Sequence, residues 1–148
     1  MTPDRFAALW HSLAPIGRVP DGGGYLRYSW SAADMEAREW FVEEALDREL
    51  DVETDRNGNL WAWWDIPGST RSPGLSASVG APGPSDGAVV TGSHLDSVPH
   101  GGGYDGPLGV VSGLLAIDEL RARGMTAPRR PVGVVVFTEE EGARFGVP

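Results

Sequence analysis

Two stretches in the first third of the chain carry apolar residues at helical spacing. From Pro3 to Leu13 these residues recur every three or four positions and predict a short packing helix, with apolar groups at Phe6, Leu9, Trp10 and Leu13. A second helix is predicted over residues 32–50, because Ser31 can cap its start and Asp34 lies near its positive end. We expect the apolar side of this helix to consist of Met35, Trp40, Phe41, Ala45 and Leu46.

A β-hairpin is predicted over residues 51–65. Asn57-Gly58 is a strong turn signal and lies between two runs of residues that favour strands. Since side chains alternate between the faces of a strand, we expect Trp61 and Trp63 to share one face and Trp64 to lie on the other. The chain has six tryptophans, which we assign to packing because large aromatic side chains usually fill cores or subunit contacts.

The second half of the chain alternates between strand-like and helix-like patterns. Residues 67–87 are rich in Pro, Gly, Ser, Ala and Thr and predict a mobile loop. Apolar runs over residues 88–92 and 131–138 predict two buried strands, and residues 107–123 predict a helix between them. We expect the core groups of that helix to be Val110, Val111, Leu114, Leu115, Ile117 and Leu120. Two such strands around a helix are typical of a parallel unit and of the α/β class.

Composition narrows the classes of protein and of site. The 148 residues suffice for one domain or part of one. A net charge of −9 disfavours binding to nucleic acid or to an anionic membrane and favours metal cations as partners. Because cysteine is absent, any metal must bind to His, Asp or Glu. The first twenty residues lack a signal-peptide pattern and no apolar run approaches the ~20 residues that span a bilayer, so we expect a cytoplasmic protein.

Polar side chains lie where both predicted strands end. His94 and Asp96 follow the first strand, residues 139–141 (EEE) follow the second, and Asp105 precedes the intervening helix. Because functional groups gather at the carboxyl ends of parallel strands, we expect His94, Asp105 and one of these glutamates to converge. Adjacent acids repel one another, and a divalent ion is the simplest neutraliser. Asp105 can bridge two such ions, and Asp96 can accept the second N–H of His94.

Each of these features taken singly also has a structural interpretation. A His-x-Asp pair occurs by chance, Asp105 could cap the following helix, and three glutamates could be solvated. Only their joint placement favours a metal site. Residues 101–106 (GGGYDG) match a dinucleotide fingerprint, but they do not follow their strand directly and Asp105 would repel a pyrophosphate, so nucleotide binding is disfavoured. We expect His11 and His100 to be structural or exposed.

Three ordered motifs carry the most specific information. They are residues 92–99 (GSHLDSVP), 104–109 (YDGPLG) and 137–145 (FTEEEGARF). Together with Asp55 and residues 58–60 (GNL), they closely resemble the aminoacylase-type dinuclear metallopeptidase superfamily, and within it the branch of allantoate amidohydrolases and N-carbamoyl-L-amino-acid hydrolases. The resemblance implies the N-terminal part of a zinc-peptidase-like, three-layer α/β catalytic domain with a mostly parallel central sheet.

The resemblance also implies a role for each candidate residue. His94 would bind the first of two divalent ions, Asp105 would bridge both, and Glu141 would bind the second. Glu140 would be the general base, and Asp96 would orient His94. The implied reaction is metal-assisted hydrolysis of a linear amide or ureido C–N bond in a small molecule, and the ligands suit Zn or Mn. A homodimer is implied for the full-length enzyme.

Members of this family are longer than 148 residues. They take further metal-binding histidines from sequence beyond the glutamates and substrate contacts from a second, dimer-forming domain. We therefore expect residues 1–148 to be a truncated catalytic domain with an incomplete site, without the dimerisation domain and inactive alone. Smaller departures are Gly103, where a side chain is usual, and Glu139, where Asn or Asp is commoner. The alternative is a non-catalytic metal-binding or interaction module that retains the first units of the fold.

Overall fold

The computed structural model describes residues 3–20, 23–67 and 87–146. Within them the chain forms three helices and four strands, at the places the sequence predicts. The elements are α1 (Pro3–Leu13), α2 (Ala32–Leu46), β1 (Asp51–Thr54), β2 (Leu60–Trp64), β3 (Val89–His94), α3 (Pro107–Ala122) and β4 (Val132–Phe137). The loop predicted over residues 67–87 lies almost wholly outside the described residues. None of the described helices is long and apolar enough to cross a membrane.

The four strands form one sheet in the order β1, β2, β4, β3. β3 and β4 run parallel and are joined through α3, which confirms the predicted α/β unit. The β1–β2 hairpin is confirmed as well, and β2 pairs with β4 in the antiparallel direction. Because the hairpin contributes two antiparallel pairings, the described part of the sheet is mixed, and the expectation of a mostly parallel sheet is not met there.

One hydrophobic core joins the three helices to one face of the sheet. On the sheet side it contains Leu60, Ala62, Trp64, Val134 and Val136. The first five core groups predicted for α3 are buried, and Leu120 packs against the core while partly exposed. Trp61 and Trp63 lie on the opposite face with parallel rings whose centroids are 5.3 Å apart, as the alternation predicts.

Two details predicted for the second helix are wrong. α2 ends at Leu46 rather than near Leu50, because Glu49 adopts a left-handed conformation (φ 52°) and the Leu50 N–H donates back to the Ala45 carbonyl. This is a Schellman ending with glutamate at the position that glycine usually occupies. Met35 and Leu46 are exposed, although Trp40, Phe41 and Ala45 are buried as expected.

The strand predicted over residues 88–92 begins at Val89 and extends to His94. Its first half is not buried, since Val89 and Val90 are 54% and 43% exposed. In the described sheet β3 is an edge strand, so an apolar run here does not indicate burial on both faces.

Candidate metal centre

Three separate parts of the chain bring the predicted site residues to one edge of the sheet. His94 is the last residue of β3 and pairs in register with Phe137, the last residue of β4. Glu140 and Glu141 lie in residues 138–145, which follow β4 and which we call the glutamate turn. Asp105 comes shortly before α3. The parallel pairing of β3 and β4 therefore accounts for the convergence that the sequence predicts.

The ligand atoms of this site lie close enough to share an ion. His94, Asp105 and Glu141 each offer one donor atom, and these atoms all lie within 4.8 Å of one another. His94 Nε2 is 4.0 Å from Asp105 Oδ1 and 3.3 Å from Glu140 Oε2. The imidazole is buried, whereas the carboxylates of Asp105 and Glu140 are 72% and 53% exposed. The centre thus has a buried nitrogen donor beneath a solvent-accessible group of carboxylates.

Asp96 holds the buried imidazole from its other side. His94 Nδ1 lies 3.0 Å from the Asp96 main-chain oxygen and 3.5 Å from its Oδ1. A proton on Nδ1 would be donated to that main-chain oxygen, which leaves the Nε2 lone pair facing the carboxylates. The closer partner is thus the Asp96 carbonyl rather than its carboxylate. Burial lowers the pKa of His94, but the contacts with Asp96 and Glu140 outweigh it and raise the pKa.

Asp96 also contacts the glutamate turn. Its Oδ2 accepts the main-chain N–H of Glu141 at 3.2 Å, and its Oδ1 accepts no hydrogen bond within the described residues. One buried residue therefore contacts both His94 and Glu141, and the sequence motif indicated only the first of these contacts.

Gly106 allows the start of α3 to lie directly against His94. It adopts a left-handed conformation (φ 85°), and a Cβ at this position would lie 2.6 Å from the imidazole Cε1. Gly106 is the N-cap residue of α3, and no side chain donates or accepts a capping hydrogen bond there. The structure therefore does not support Asp105 as the helix cap, which was its alternative interpretation.

Glu139 stabilises the glutamate turn from within. It has a left-handed backbone (φ 61°), and its Oε1 accepts the N–H groups of Arg144 and Phe145 at 2.8 and 2.6 Å. Partial burial would raise the pKa of Glu139, but the hydrogen bonds that it accepts lower the pKa. Sequence reasoning identified Glu139 as part of an acidic run and as a departure from the family pattern, and it missed this local role.

The burial of two charged residues on α2 was also missed, since sequence reasoning placed Asp34 only near the start of the helix and did not name Arg38. Arg38 Nη1 donates to Thr138 Oγ1 at 3.1 Å, and its guanidinium lies over the Trp30 ring. Asp34 Oδ2 accepts the Trp30 N–H at 2.8 Å. Burial is the main cause that lowers the pKa of Arg38 and raises that of Asp34. A sequence signal existed, because both residues fall on the same helical stripe as buried Phe41.

His11 and His100 are exposed, as expected, and neither belongs to a metal-binding group among the described residues.

Fold and site define a mixed α/β domain that brings a histidine and two carboxylates to the ends of parallel strands. Comparison with models of known protein families gives no match. The chain is 35% identical over 139 residues to N-carbamoyl-L-amino acid amidohydrolase from Geobacillus stearothermophilus, covering 93% of this chain and 30% of that protein. It is 33% identical over 135 residues to allantoate deiminase 2 from Glycine max, covering 90% of this chain and 25% of that protein.

A solved structure gives the same result. A hydantoinase/carbamoylase family amidase from Burkholderia ambifaria matches 97% of this chain and 32% of its own, with 36% identity and a TM-score of 0.75. Over nearly all of its length the chain is therefore a homologue of the N-carbamoyl-L-amino-acid amidohydrolases, allantoate deiminases and hydantoinase/carbamoylase amidases. This confirms the resemblance inferred from the three motifs. The chain spans between 25% and 32% of the length of these three relatives.

Proposed function

We propose that this chain carries metal ligands and the general base of a hydrolase that acts on linear amide or ureido C–N bonds. In this proposal His94, Asp105 and Glu141 bind divalent metal, and Glu140 transfers the proton. The observation that carries it is the convergence of three ligand atoms within 4.8 Å from three separate parts of the chain. Homology to amidohydrolases and deiminases supports the metal interpretation over a cluster of solvated acids.

The donors present suit a divalent ion. One imidazole nitrogen and two carboxylates are ligands that Zn²⁺ and Mn²⁺ accept, and we propose one of these metals. Asp105 has two carboxylate oxygens and can bridge a pair of ions, so a two-metal centre is part of the proposal. Zinc usually takes four ligands, and the described residues supply three, so at least one position is left for water, substrate or a further ligand.

The side chains around the site can then take different roles in hydrolysis. A divalent ion held by His94, Asp105 and Glu141 would polarise the substrate carbonyl and lower the pKa of water. The Glu140 carboxylate, beside His94 Nε2 and half exposed, takes a proton from the attacking water and returns it to the leaving nitrogen. The main-chain oxygen of Asp96 keeps the His94 ring oriented with Nε2 toward the carboxylates.

The substrate class follows from what the relatives share. N-carbamoyl amino acids and allantoate, which appear in the names of the relatives, both contain a ureido group next to a carboxylated carbon skeleton. Ureidoglycolate, named for a relative from Oryza sativa that is 35% identical over 121 residues, contains one as well. We propose a ureido compound of this kind as the substrate of the complete enzyme.

Metal titration of the purified chain tests the site. Isothermal titration with Zn²⁺ and Mn²⁺ is expected to show binding that weakens more than about tenfold in His94→Ala and in Glu141→Gln. His11→Ala, which removes an exposed histidine outside the group, is the matched control and is expected to bind like the unmodified chain. Equal affinity in all four proteins would contradict the proposed ligands.

An activity assay tests whether the metal site in this chain is incomplete, as we propose. With added Zn²⁺ or Mn²⁺, the 148-residue chain is expected to hydrolyse N-carbamoyl amino acids or allantoate barely above background, because the three donors found among the described residues are too few for two ions that each take about four ligands. Rapid turnover by this chain alone would show that its site is complete.

A further inference from the structure

The hairpin turn, residues 55–59, contacts the first residue of the glutamate turn. Asn59 Oδ1 accepts the main-chain N–H of Thr138 at 2.9 Å. In the antiparallel register, Leu60 pairs with Val136, and no residue of β2 pairs with Thr138. The Thr138 N–H lies just beyond the sheet, so the Asn59 side chain supplies the acceptor that a longer strand would have provided.

Asp55 fixes the direction in which the Asn59 amide points. Its Oδ2 accepts Asn59 Nδ2 at 2.9 Å, and its Oδ1 accepts the Asn59 main-chain N–H at 3.0 Å. Since the carboxylate can only accept at neutral pH, the amide NH₂ must face Asp55 and the amide oxygen must face Thr138. Trp61 Nε1 also donates to Asp55 Oδ2, at 3.1 Å. The acceptor for the Thr138 N–H is therefore oriented in advance.

A second contact joins the same two turns. Thr138 Oγ1 donates to the Gly58 carbonyl at 2.7 Å, and that carbonyl also accepts Arg38 Nη2. Arg38 Nη1 donates to Thr138 Oγ1, so one guanidinium contacts both turns. Thr138 is thus held through its main chain and its side chain, two residues before Glu140.

We propose that Asn59 is a positioning residue that fixes the start of the glutamate turn, so that Glu140 and Glu141 face His94. The inference rests on the proposed function, because it assigns Asn59 to the support of the metal ligands. Asp96 holds the same turn at the Glu141 N–H, so the short segment with both glutamates is fixed at its two ends. Replacing a residue that supports a metal ligand typically weakens metal affinity by about 10- to 100-fold.

Amide hydrogen exchange, measured by NMR on the metal-free chain, tests the positioning directly. In Asn59→Ala, exchange at the Thr138 and Glu141 amides is expected to accelerate about tenfold, because the segment loses one of its two supports. Asn57→Ala is the matched control, since Asn57 is exposed in the same turn and contacts Asp55 through its main chain. The control is expected to stay within about twofold of the unmodified chain. Unchanged exchange at both amides in Asn59→Ala would overturn the proposal.

Zinc titration tests the consequence for the site, in a double-mutant cycle with Glu141→Gln. Asn59→Ala is expected to weaken Zn²⁺ binding about tenfold in the unmodified background and less than about twofold in the Glu141→Gln background. An equal loss in both backgrounds would show a general structural role and overturn the proposal. Should Asn59→Ala fail to fold, Asn59→Ser takes its place in both experiments, because its shorter side chain also leaves the Thr138 N–H without this acceptor.

The two experiments separate this inference from the proposed function. If the unmodified chain binds no Zn²⁺, the proposed metal site fails, while hydrogen exchange still decides whether Asn59 positions the turn. If Zn²⁺ binds but Asn59→Ala changes neither exchange nor affinity, the metal site stands and the positioning role of Asn59 fails.

Discussion

Replacing Gly106 with alanine is expected both to destabilise the fold and to disturb the contact between His94 and the start of α3. Gly106 adopts φ 85° and ψ −66° at the N-terminus of α3. An added Cβ would lie 2.6 Å from both the imidazole Cε1 and the main-chain oxygen of His94, whereas ordinary contacts start near 3.4 Å. The main-chain oxygen cannot move without disturbing the end of β3. The start of α3 must therefore shift away from this oxygen, and the imidazole must shift as well unless that movement also clears it.

The expected loss of stability in Gly106→Ala has two parts, which a matched control variant separates. A left-handed conformation costs a residue with a Cβ about 1–2 kcal/mol, and overpacking a tight site costs about 1–3 kcal/mol. Gly106→Ala is therefore expected to lower the free energy of unfolding by roughly 2–5 kcal/mol. Gly124 has a similar φ of 88°, with no atom within 4 Å of an added Cβ. Gly124→Ala is expected to show only the first part, about 1–2 kcal/mol.

Urea unfolding of the two metal-free variants measures the difference between their free energies of unfolding. Gly106→Ala is expected to be less stable than Gly124→Ala by about 1–3 kcal/mol and to bind Zn²⁺ more weakly, while Gly124→Ala keeps the unmodified affinity. If the two variants were equally stable and bound Zn²⁺ equally well, the close contact between Gly106 and His94 would have no energetic significance, and the reasoning would be refuted.

Two further predictions concern protonation and an ion pair. Burial opposes the charge on His94, but its contacts with Asp96 and Glu140 raise its pKa. The protonated imidazole therefore stabilises the metal-free fold below about pH 6.5. This stabilisation is lost as pH rises through the folded-state pKa of His94. The difference in unfolding free energy between the unmodified chain and His94→Gln should shrink from pH 5.5 to pH 8, and a constant difference would contradict this. Arg48 Nε and Nη2 contact the two carboxylate oxygens of Asp118, each at 3.1 Å, so Arg48→Lys is expected to lower stability by about 1 kcal/mol in urea unfolding. The exposed Arg123→Lys is the control and should change stability by less than about 0.5 kcal/mol, and equal effects would contradict a special role for the paired geometry.

The convergence at the site could be predicted because it depends on local patterns. Apolar runs identified β3 and β4, and their parallel pairing through α3 places His94 near the glutamates without any knowledge of side-chain contacts. The hairpin was equally accessible, since Asn57-Gly58 indicates a turn by itself. These inferences needed only periodicity and turn chemistry.

The details that sequence could not predict depend on contacts between distant residues or on unusual backbone. The hydrogen bond from Thr138 to Asn59 spans 79 positions, and no short motif encodes it. Glu49 ends α2 in a conformation that glycine usually adopts, so the stop signal expected from sequence was missing. Val89 and Val90 favour a strand, but whether a strand is central or at an edge depends on which neighbours pair with it.

The double contact made by Asp96 has a consequence for how the site moves. Its main-chain oxygen lies against His94 and its carboxylate accepts the Glu141 N–H, so a displacement of Asp96 is expected to move the imidazole and the Glu141 main chain in the same direction. We therefore expect the distance between the imidazole and the Glu141 main chain to fluctuate less than the position of either one. An entering ion would then have to order the Glu141 carboxylate beside an imidazole that is already in place, so less free energy is lost in gathering these two donors.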